Sequence, residues 1–141
     1  MTFTGEQCNF YDETTRLFLM DASRVGIPFQ AFHRFVGPSA AMRVKIASTV
    51  TVMDADGPVM DEAETVTLFN ERCVMAPGAF VDPRIRWQAI DPTHVSASFV
   101  NFKHTAHAIL TFDDQSQLTD FVTDGRGALS CARWPILVSA F

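Results

Sequence analysis

The sequence lacks most of the features that identify a function by themselves. It has one Tyr against 13 Phe, three Cys, and 11 basic against 16 acidic residues, for a formal net charge of −5. Because no basic excess is available to neutralise phosphates, a nucleic-acid-binding surface is not expected. Cys8, Cys73 and Cys131 are widely spaced and form no CxxC pair, which argues against a zinc site or a disulfide framework and favours free thiols.

Long apolar runs and a leader segment are also missing. No apolar run reaches the roughly 18 residues that a membrane-spanning helix requires. The first residues do not show the basic-then-apolar order of a secretory signal. The predicted location is therefore the cytoplasm, provided that the chain begins at its natural N-terminus.

Familiar catalytic and metal-binding motifs are absent as well. The chain has no GxGxxG, no P-loop and no Gly-x-Ser-x-Gly around any Ser. His104 and His107 lie three apart on a predicted strand and so point to opposite faces, which does not make a metal pair. Asp54 and Asp56 begin like a calcium loop, but residues 58–60 supply no side-chain oxygen. We therefore assign no catalytic residue, no metal site and no cofactor.

What is present is typical of a globular α+β domain. The chain has 141 residues, 48% of them hydrophobic and 19% charged, which fits one folded domain. Met42 to Met53 alternates apolar and polar residues and predicts a strand. Further short strands follow at roughly ten-residue spacing with local turns, which favours an antiparallel meander.

One segment, Asp61 to Pro83, has a helical pattern instead. Asp61 is expected to cap the helix, with Glu64 three residues later in a capping-box spacing. Arg72 is expected on the polar side, and Pro77-Gly78 should end the helix. The apolar stripe consists of Ala63, Val66, Phe69 (or Asn70) and Cys73. The helix is therefore predicted to pack on one face of the sheet.

Seven segments of the chain resemble a bacterial family of uncharacterised proteins, a domain of unknown function. They are EQCNF, TRLFLMDAS, GIPFQAFHRF, AMRVKIASTVTVMDADGP, AETVTLFNERCVMAP, DPRIRWQAID and LTDFVTDGR. They occur in the family's order and cover most of the span from Glu6 to Arg126. The resemblance implies a curved antiparallel half-barrel around one central helix, similar to lipoprotein-carrier folds that hold acyl chains. It implies no particular reaction.

The chain departs from this family pattern in two places. Its relatives are usually longer at both ends, and the final GALSCARWPILVSAF does not follow their continuation. Ser116 stands where they tend to have Gly in the last hairpin turn. We therefore predict a sheet-plus-helix domain at residues 1–126, a divergent tail at 127–141, and an incomplete half-barrel. Its exposed edges would permit a homodimer.

The Phe and Met residues exceed what one helix can cover. They either fill a core or line a pocket for a lipid-like ligand, since such pockets are apolar with few polar anchors. We expect the concave face of the sheet to bind a hydrophobic small molecule or lipid without catalysis, with Arg43, Lys45 or Arg86 near its head group. The predicted ligand-binding residues are Phe18, Met20, Phe29, Phe32, Phe35, Met42, Phe69, Trp87, Phe99, Arg43 and Arg86.

Two alternatives to a binding protein stay open. The first is a small cavity enzyme of the polyketide-cyclase-like kind, which would use one His with an Asp, and Asp21, Asp91 and Asp120 are available in the sequence. The second is a truncated structural remnant without activity. His33 or His107 within hydrogen-bond reach of a carboxylate would favour the enzyme, whereas a cavity lined by apolar residues alone would favour binding.

Overall fold

The computed structural model describes residues 2–124, which form two antiparallel sheets and one long helix, an α+β architecture. The chain divides after Glu64 into two compact units. The helix α1, Pro58–Met75, begins in the first unit and ends in the second.

The first unit contains a five-stranded meander in the order β1-β2-β3-β4-β5. Each strand pairs antiparallel with the next, and the β4–β5 ladder carries a bulge between Val44 and Lys45. Short turns suffice for such neighbours, because antiparallel strands need no crossover. The strands are β1 Thr2–Phe10, β2 Thr15–Arg24, β3 Ile27–Val36, β4 Ser39–Ile46 and β5 Val50–Asp56.

The second unit contains a four-stranded meander in the order β6-β7-β8-β9. It is preceded by the end of α1 and a 3₁₀ turn at Pro77–Val81. Its strands are β6 Ile85–Ala89, β7 His94–Asn101, β8 His104–Phe112 and β9 Leu118–Thr123. Phe99, Leu110 and Ala97 are fully buried and form the core of this unit with Phe69 of α1.

The prediction of one curved, half-barrel-like sheet on a central helix is wrong in its sheet architecture. The described strands form two separate sheets, and neither is closed or strongly curled. α1 and the 3₁₀ turn separate β5 from β6 along the chain, and those two strands are not neighbours in either sheet. Local alternation reveals strands and turns, but it does not identify which strands pair across a long connection. The predicted tail at 127–141 lies outside the described residues.

The start of α1 also differs from the prediction. Gly57, with φ 107°, precedes the helix, and its carbonyl accepts hydrogen bonds from the N–H groups of Met60 and Asp61, both at 3.0 Å. Pro58 takes the first helical position, where its missing N–H has no intrahelical partner to lose. Asp61 therefore lies inside the helix and does not cap it. Its carboxylate accepts a hydrogen bond from the backbone N–H of Ala40 at 2.8 Å.

The predicted end and apolar stripe of the helix are mostly confirmed. α1 ends at Met75, just before Pro77, and Val66, Phe69 and Cys73 are buried. Arg72 was placed on the polar side, and this is wrong, because its side chain is fully buried. A charged residue in a helical pattern normally indicates the side that faces solvent. A buried charged residue such as Arg72 can be recognised only from its partners in the folded structure.

The predicted strand from Met42 to Met53 is two strands. A turn at residues 47–49 separates β4 from β5, with positive φ angles of 48° at Ala47 and 59° at Ser48. Neither residue type commonly adopts this left-handed conformation, so the turn has no local signal in the sequence. Among residues 2–124, no helix is both long and apolar enough to cross a membrane.

Candidate functional site

The inner face of the five-stranded sheet, the face that bears Phe35 and Ala40, carries two rows without a polar side chain. Strand register assigns these rows, because side chains directly opposite each other share a face. We call them the apolar rows. The first contains Phe3, Ala22, Phe29, Ile46 and Val50, and the second contains Gly5, Met20, Ala31, Val44 and Met53.

The inner face is covered at one end and open at the other. Phe35 and Ala40 are buried at the covered end, where Asp61 of α1 contacts the backbone of Ala40. At the open end Phe3 is 63%, Val50 59% and Met53 47% exposed. The apolar rows therefore expose hydrophobic side chains on the edge strands β1 and β5, whereas Ala22 and Ala31 in the middle of the rows are buried.

A polar cluster lies on the same face, in the two rows that follow the apolar rows toward the covered end. Nη1 of Arg16 is 3.1 Å from Nδ1 of His33 and 3.2 Å from Oε2 of Glu64, and Nη2 is 3.4 Å from Oε1 of Gln7. Nε2 of His33 is 3.4 Å from Oε1 of Glu64. We call these four residues the Arg16 cluster. Arg16 and Glu64 are both buried, so their charges compensate each other away from water.

The contact with Arg16 fixes the tautomer of His33. A guanidinium N–H has no lone pair to offer, so Nδ1 must accept and Nε2 must carry the proton. Nε2 makes no well-formed hydrogen bond in the described residues, so its contact with Glu64 is electrostatic. Burial, followed by the positive charge of Arg16, lowers the pKa of His33 to about 4. His33 is therefore neutral at pH 7.

The outer face of the same sheet is more polar. Arg43 donates two hydrogen bonds to one oxygen of Asp54, Oδ2, at 3.0 Å from Nε and 2.8 Å from Nη2. Both side chains are more than half exposed. A shallow groove of about 300 Å³ lies here, lined by Phe32, Arg34, Ala41, Met42, Arg43, Asp54 and Asp56.

The second unit has a buried charged cluster of its own. Nη1 of Arg72 donates to Asp82 at 2.7 Å, and Arg84 donates to the same carboxylate from Nη2 at 2.6 Å. Both guanidinium groups lie over the Phe99 ring, at 4.4 Å and 5.5 Å from its centroid. Burial alone would raise the pKa of Asp82, but hydrogen bonds from Arg84 and Arg72 hold it well below its usual range. This cluster ties the end of α1 to the start of β6.

The structure separates the predicted ligand-binding residues into groups. Phe32 and Arg43 lie opposite each other on the outer face, next to the groove. Lys45, the other proposed head-group residue of this sheet, also lies on the outer face. The inner face of the five-stranded sheet brings together Phe18, Met20, Phe29, Phe35 and Met42.

The remaining predicted residues belong to the second unit. Phe69 and Phe99 are fully buried and stack with ring centroids 5.7 Å apart. Trp87 is partly exposed and packs edge-on against Phe80 at 5.4 Å. Arg86 neighbours Trp87 on β6, so its side chain points to the opposite face, and it is exposed.

Sequence reasoning missed the Arg16 cluster. The sequence pattern predicted a helix-capping role for Glu64 and no role for Arg16. One signal was available, since Arg16 shares its face of β2 with Phe18, Met20 and Ala22. A charged residue in register with an apolar face indicates a buried partner.

His94 and His107 lie on strands of the four-stranded sheet and add no polar group to the faces of the five-stranded sheet. His107 is exposed on β8, on the face opposite to that of the buried Ala106 and Ala108. Nδ1 of His94 lies 2.9 Å from Asp91, in an exposed turn where Asp91 also accepts from the N–H groups of Thr93 and His94. The Thr93 N–H, followed by His94, lowers the pKa of Asp91 to about 2. This His/Asp pair therefore stabilises a turn.

Within residues 2–124 no group of three or more His, Cys, Asp or Glu side chains is placed to hold a metal ion. Cys8 is exposed and Cys73 is buried, and both are free thiols. Burial raises the pKa of Cys73 to about 12, which keeps it protonated and unreactive. Cys131 lies outside the described residues.

Comparison with known proteins gives one result. A family model for a family of unknown function (DUF6544) matches residues 1–136. The match runs past Arg126 into the segment that was predicted to be a divergent tail. No curated protein and no solved structure matches the chain. Because the family model covers nearly the whole chain, the protein belongs to the family of unknown function DUF6544.

Proposed function

We propose that this protein binds a hydrophobic, lipid-like ligand on the inner face of its five-stranded sheet and does not catalyse a reaction there. The observation that carries this proposal is the pair of apolar rows, which hold no polar side chain across five strands and are open to solvent at Phe3, Val50 and Met53. Large exposed apolar surfaces on water-soluble domains usually mark a site of interaction.

The energetics favour a chain-like apolar ligand. Burial of apolar surface contributes about 25 cal/mol per Å², or about 0.8 kcal/mol for each methylene group. An acyl chain lying across several strands along the apolar rows would therefore gain several kcal/mol. The exposed side chains of Phe3 and Val50, on the two edge strands, would contact the ligand, whereas Ala22 and Ala31 between them are already buried.

The polarity of the inner face also suggests how such a ligand is oriented. The row after the apolar rows contains Gln7 and His33 opposite Phe18 and Met42, and the Arg16 cluster begins there. We place the polar group of the ligand toward Gln7. This differs from the proposed head-group contacts with Arg43 and Lys45, which lie on the outer face, where Arg43 is already paired with Asp54.

The experiment compares two Phe residues of the same edge strand. Phe3 and Phe10 are both more than half exposed, but Phe3 lies on the inner face and Phe10 on the outer face. We expect delipidated protein to bind a fluorescent fatty acid that lauric acid displaces. F3K should weaken this binding at least tenfold, because it puts a charge into the first apolar row, and F10K should not change it.

Two outcomes would overturn the proposal. One is that delipidated protein fails to bind the fluorescent fatty acid at micromolar concentrations. The other is that F3K and F10K weaken binding equally, which would place the contact elsewhere. Circular dichroism spectra and urea unfolding of both variants establish that the fold is intact.

The enzyme alternative has one observation in its favour, the 3.4 Å contact between His33 and Glu64. The hydrogen bonding of His33, however, does not suit a general base. Nδ1 of His33 accepts from Arg16 and the Nε2 proton faces Glu64, so neither nitrogen offers a lone pair to a substrate. The Arg16 cluster is therefore better explained as the polar border of a binding face.

A further inference from the structure

One end of the five-stranded sheet gathers two turns and a strand start. In an antiparallel meander alternate turns share an end, so the β2–β3 turn, the β4–β5 turn and the start of β1 lie together. We call this the Val25 end. It comprises Thr2–Phe3, residues 24–28 and residues 46–50.

The Val25 end exposes apolar side chains at its outermost positions. Val25 is 94% exposed and Ile27 is 56% exposed, and Phe3 and Val50 flank them. Val25 and Gly26 form the whole loop between β2 and β3, because Arg24 pairs directly with Ile27. The side chain of Val25 thus projects from a tight turn and contributes nothing to the packing of the sheet.

Val25 also occupies a backbone conformation that does not suit it. Its φ is 53° and that of Gly26 is 76°, so both loop residues are left-handed, as in a type I′ turn. Asn or Asp followed by Gly is the preferred pair in this turn, whereas a β-branched residue is disfavoured at positive φ. Backbone strain at a residue whose exposed side chain does not pack against the fold indicates that the residue serves a function other than stability.

Charge distinguishes the two ends of the sheet. Arg24 is exposed beside Val25, and Lys45 lies two positions from the β4–β5 turn. The acid nearest to this end is Asp21, which accepts a hydrogen bond from Gln30 at 2.7 Å. The turns at the other end carry Asp12, Glu13 and Asp56. The Val25 end itself therefore contains Arg24 and no acidic residue, and Lys45 lies next to it, whereas Arg16 and Arg34 lie toward the other end of the sheet.

We propose that the Val25 end docks on an anionic lipid bilayer, with the side chains of Val25 and Ile27 entering the interface and Arg24 and Lys45 meeting lipid phosphates. Exposed apolar side chains flanked by Lys and Arg have the chemistry of interfacial membrane binding. The proposal goes beyond ligand binding, because the side chains that it places in the lipid, Val25 and Ile27, are not members of the apolar rows, although Phe3, Ile46 and Val50 belong to both surfaces. Either proposal can fail while the other holds.

A lipid surface fits this end better than a protein partner does. A stable protein–protein interface needs about 800 Å² on each side with a packed core. The Val25 end instead presents single projecting side chains on narrow turns, a shape that enters a fluid interface without a complementary pocket.

The experiment measures binding of the full chain to vesicles of phosphatidylcholine with phosphatidylglycerol at 3:1, and to vesicles of phosphatidylcholine alone, by flotation. We expect binding to the mixed vesicles that weakens as salt is raised. V25N should weaken it about tenfold, and I27N should weaken it similarly. Because Asn suits the left-handed turn, V25N is expected to fold at least as stably as the wild type, so its loss of binding cannot result from unfolding.

V36N is the matched control, since Val36 is an exposed Val at the opposite end of β3 and should leave vesicle binding unchanged. R24Q should reduce the preference for the anionic vesicles. Binding to neither kind of vesicle, or equal binding by V25N and the wild type, would overturn the proposal. So would a change in sedimentation of V25N without vesicles, since that would assign the Val25 end to self-association.

Discussion

Nη1 of Arg16 lies 3.1 Å from Nδ1 of His33, and this single contact settles the protonation of the histidine. Because the guanidinium can only donate, protonation of Nδ1 would place two donors against each other inside the protein. Burial of the imidazole acts in the same direction. His33 on the inner face is therefore neutral in the folded protein near pH 7.

The first prediction is a stability loss in mild acid. The pKa of His33 is about 4 in the folded protein against 6.5 in the unfolded chain, so the unfolded chain binds the extra proton between these values. His33 thus favours the folded state fully above pH 6.5, and this contribution is lost as pH falls toward 4. We expect the free energy of unfolding in urea to fall by about 2 kcal/mol between pH 7 and pH 5.

The variant H33Q should remove most of this pH dependence while H107Q retains it, because His107 is exposed on another sheet. If H33Q and the wild type lose the same free energy between pH 7 and pH 5, His33 is not the titrating group.

The second prediction concerns the buried pair of Arg16 and Glu64. R16M removes the guanidinium and leaves the carboxylate of Glu64 without its cationic partner, which should cost about 3 kcal/mol of unfolding free energy. The double variant R16M/E64M should be more stable than R16M, because no uncompensated charge remains. R34M on neighbouring β3 is exposed and should change stability by less than about 0.5 kcal/mol. A double variant that is less stable than R16M would contradict this account.

The third prediction compares two aspartates that both accept from arginine. D82N should cost about 3–5 kcal/mol, because Asp82 compensates the fully buried Arg72. D54N should cost at most about 1 kcal/mol, because both Asp54 and Arg43 are more than half exposed. Urea unfolding at pH 7 measures both. The lowered pKa of Asp82 further implies that the wild type, unlike D82N, loses stability as pH falls below about 4.

The fourth prediction tests backbone conformation at two glycines that both have open space around the missing Cβ. Gly57 has φ 107° where it caps α1, a conformation that Ala rarely adopts, and Gly78 has no positive φ. G57A should therefore lower the melting temperature and cost about 1–2 kcal/mol, whereas G78A should be neutral or slightly stabilising. Equal effects at both positions would show that φ is not the cause.

How far the sequence predicts this structure depends on whether a signal is local. The helix end at Pro77 and the stripe of Val66, Phe69 and Cys73 follow from local chemistry, and they are confirmed. The β4–β5 turn was missed, because Ala47 and Ser48 carry no turn signal.

Signals that depend on tertiary partners were missed more often. Arg72 and Glu64 are buried because of residues far away in the sequence, and a helical pattern assigns such residues to solvent. The shared face of Phe18, Met20 and Phe29 follows from register, which local alternation indicates only within one strand. Phe69 and Phe99, in contrast, turn out to fill the core of the second unit.

Val25 has a further consequence for the history of the family. A side chain that strains its own turn and packs against nothing has no structural reason to persist, so drift should replace it with Asn or Asp. Family members that share the lipid contact should therefore keep an apolar residue at this position. Members with Asn-Gly in the same turn should be more stable and should have lost that contact. A design procedure that optimises folding stability alone would make the same replacement first.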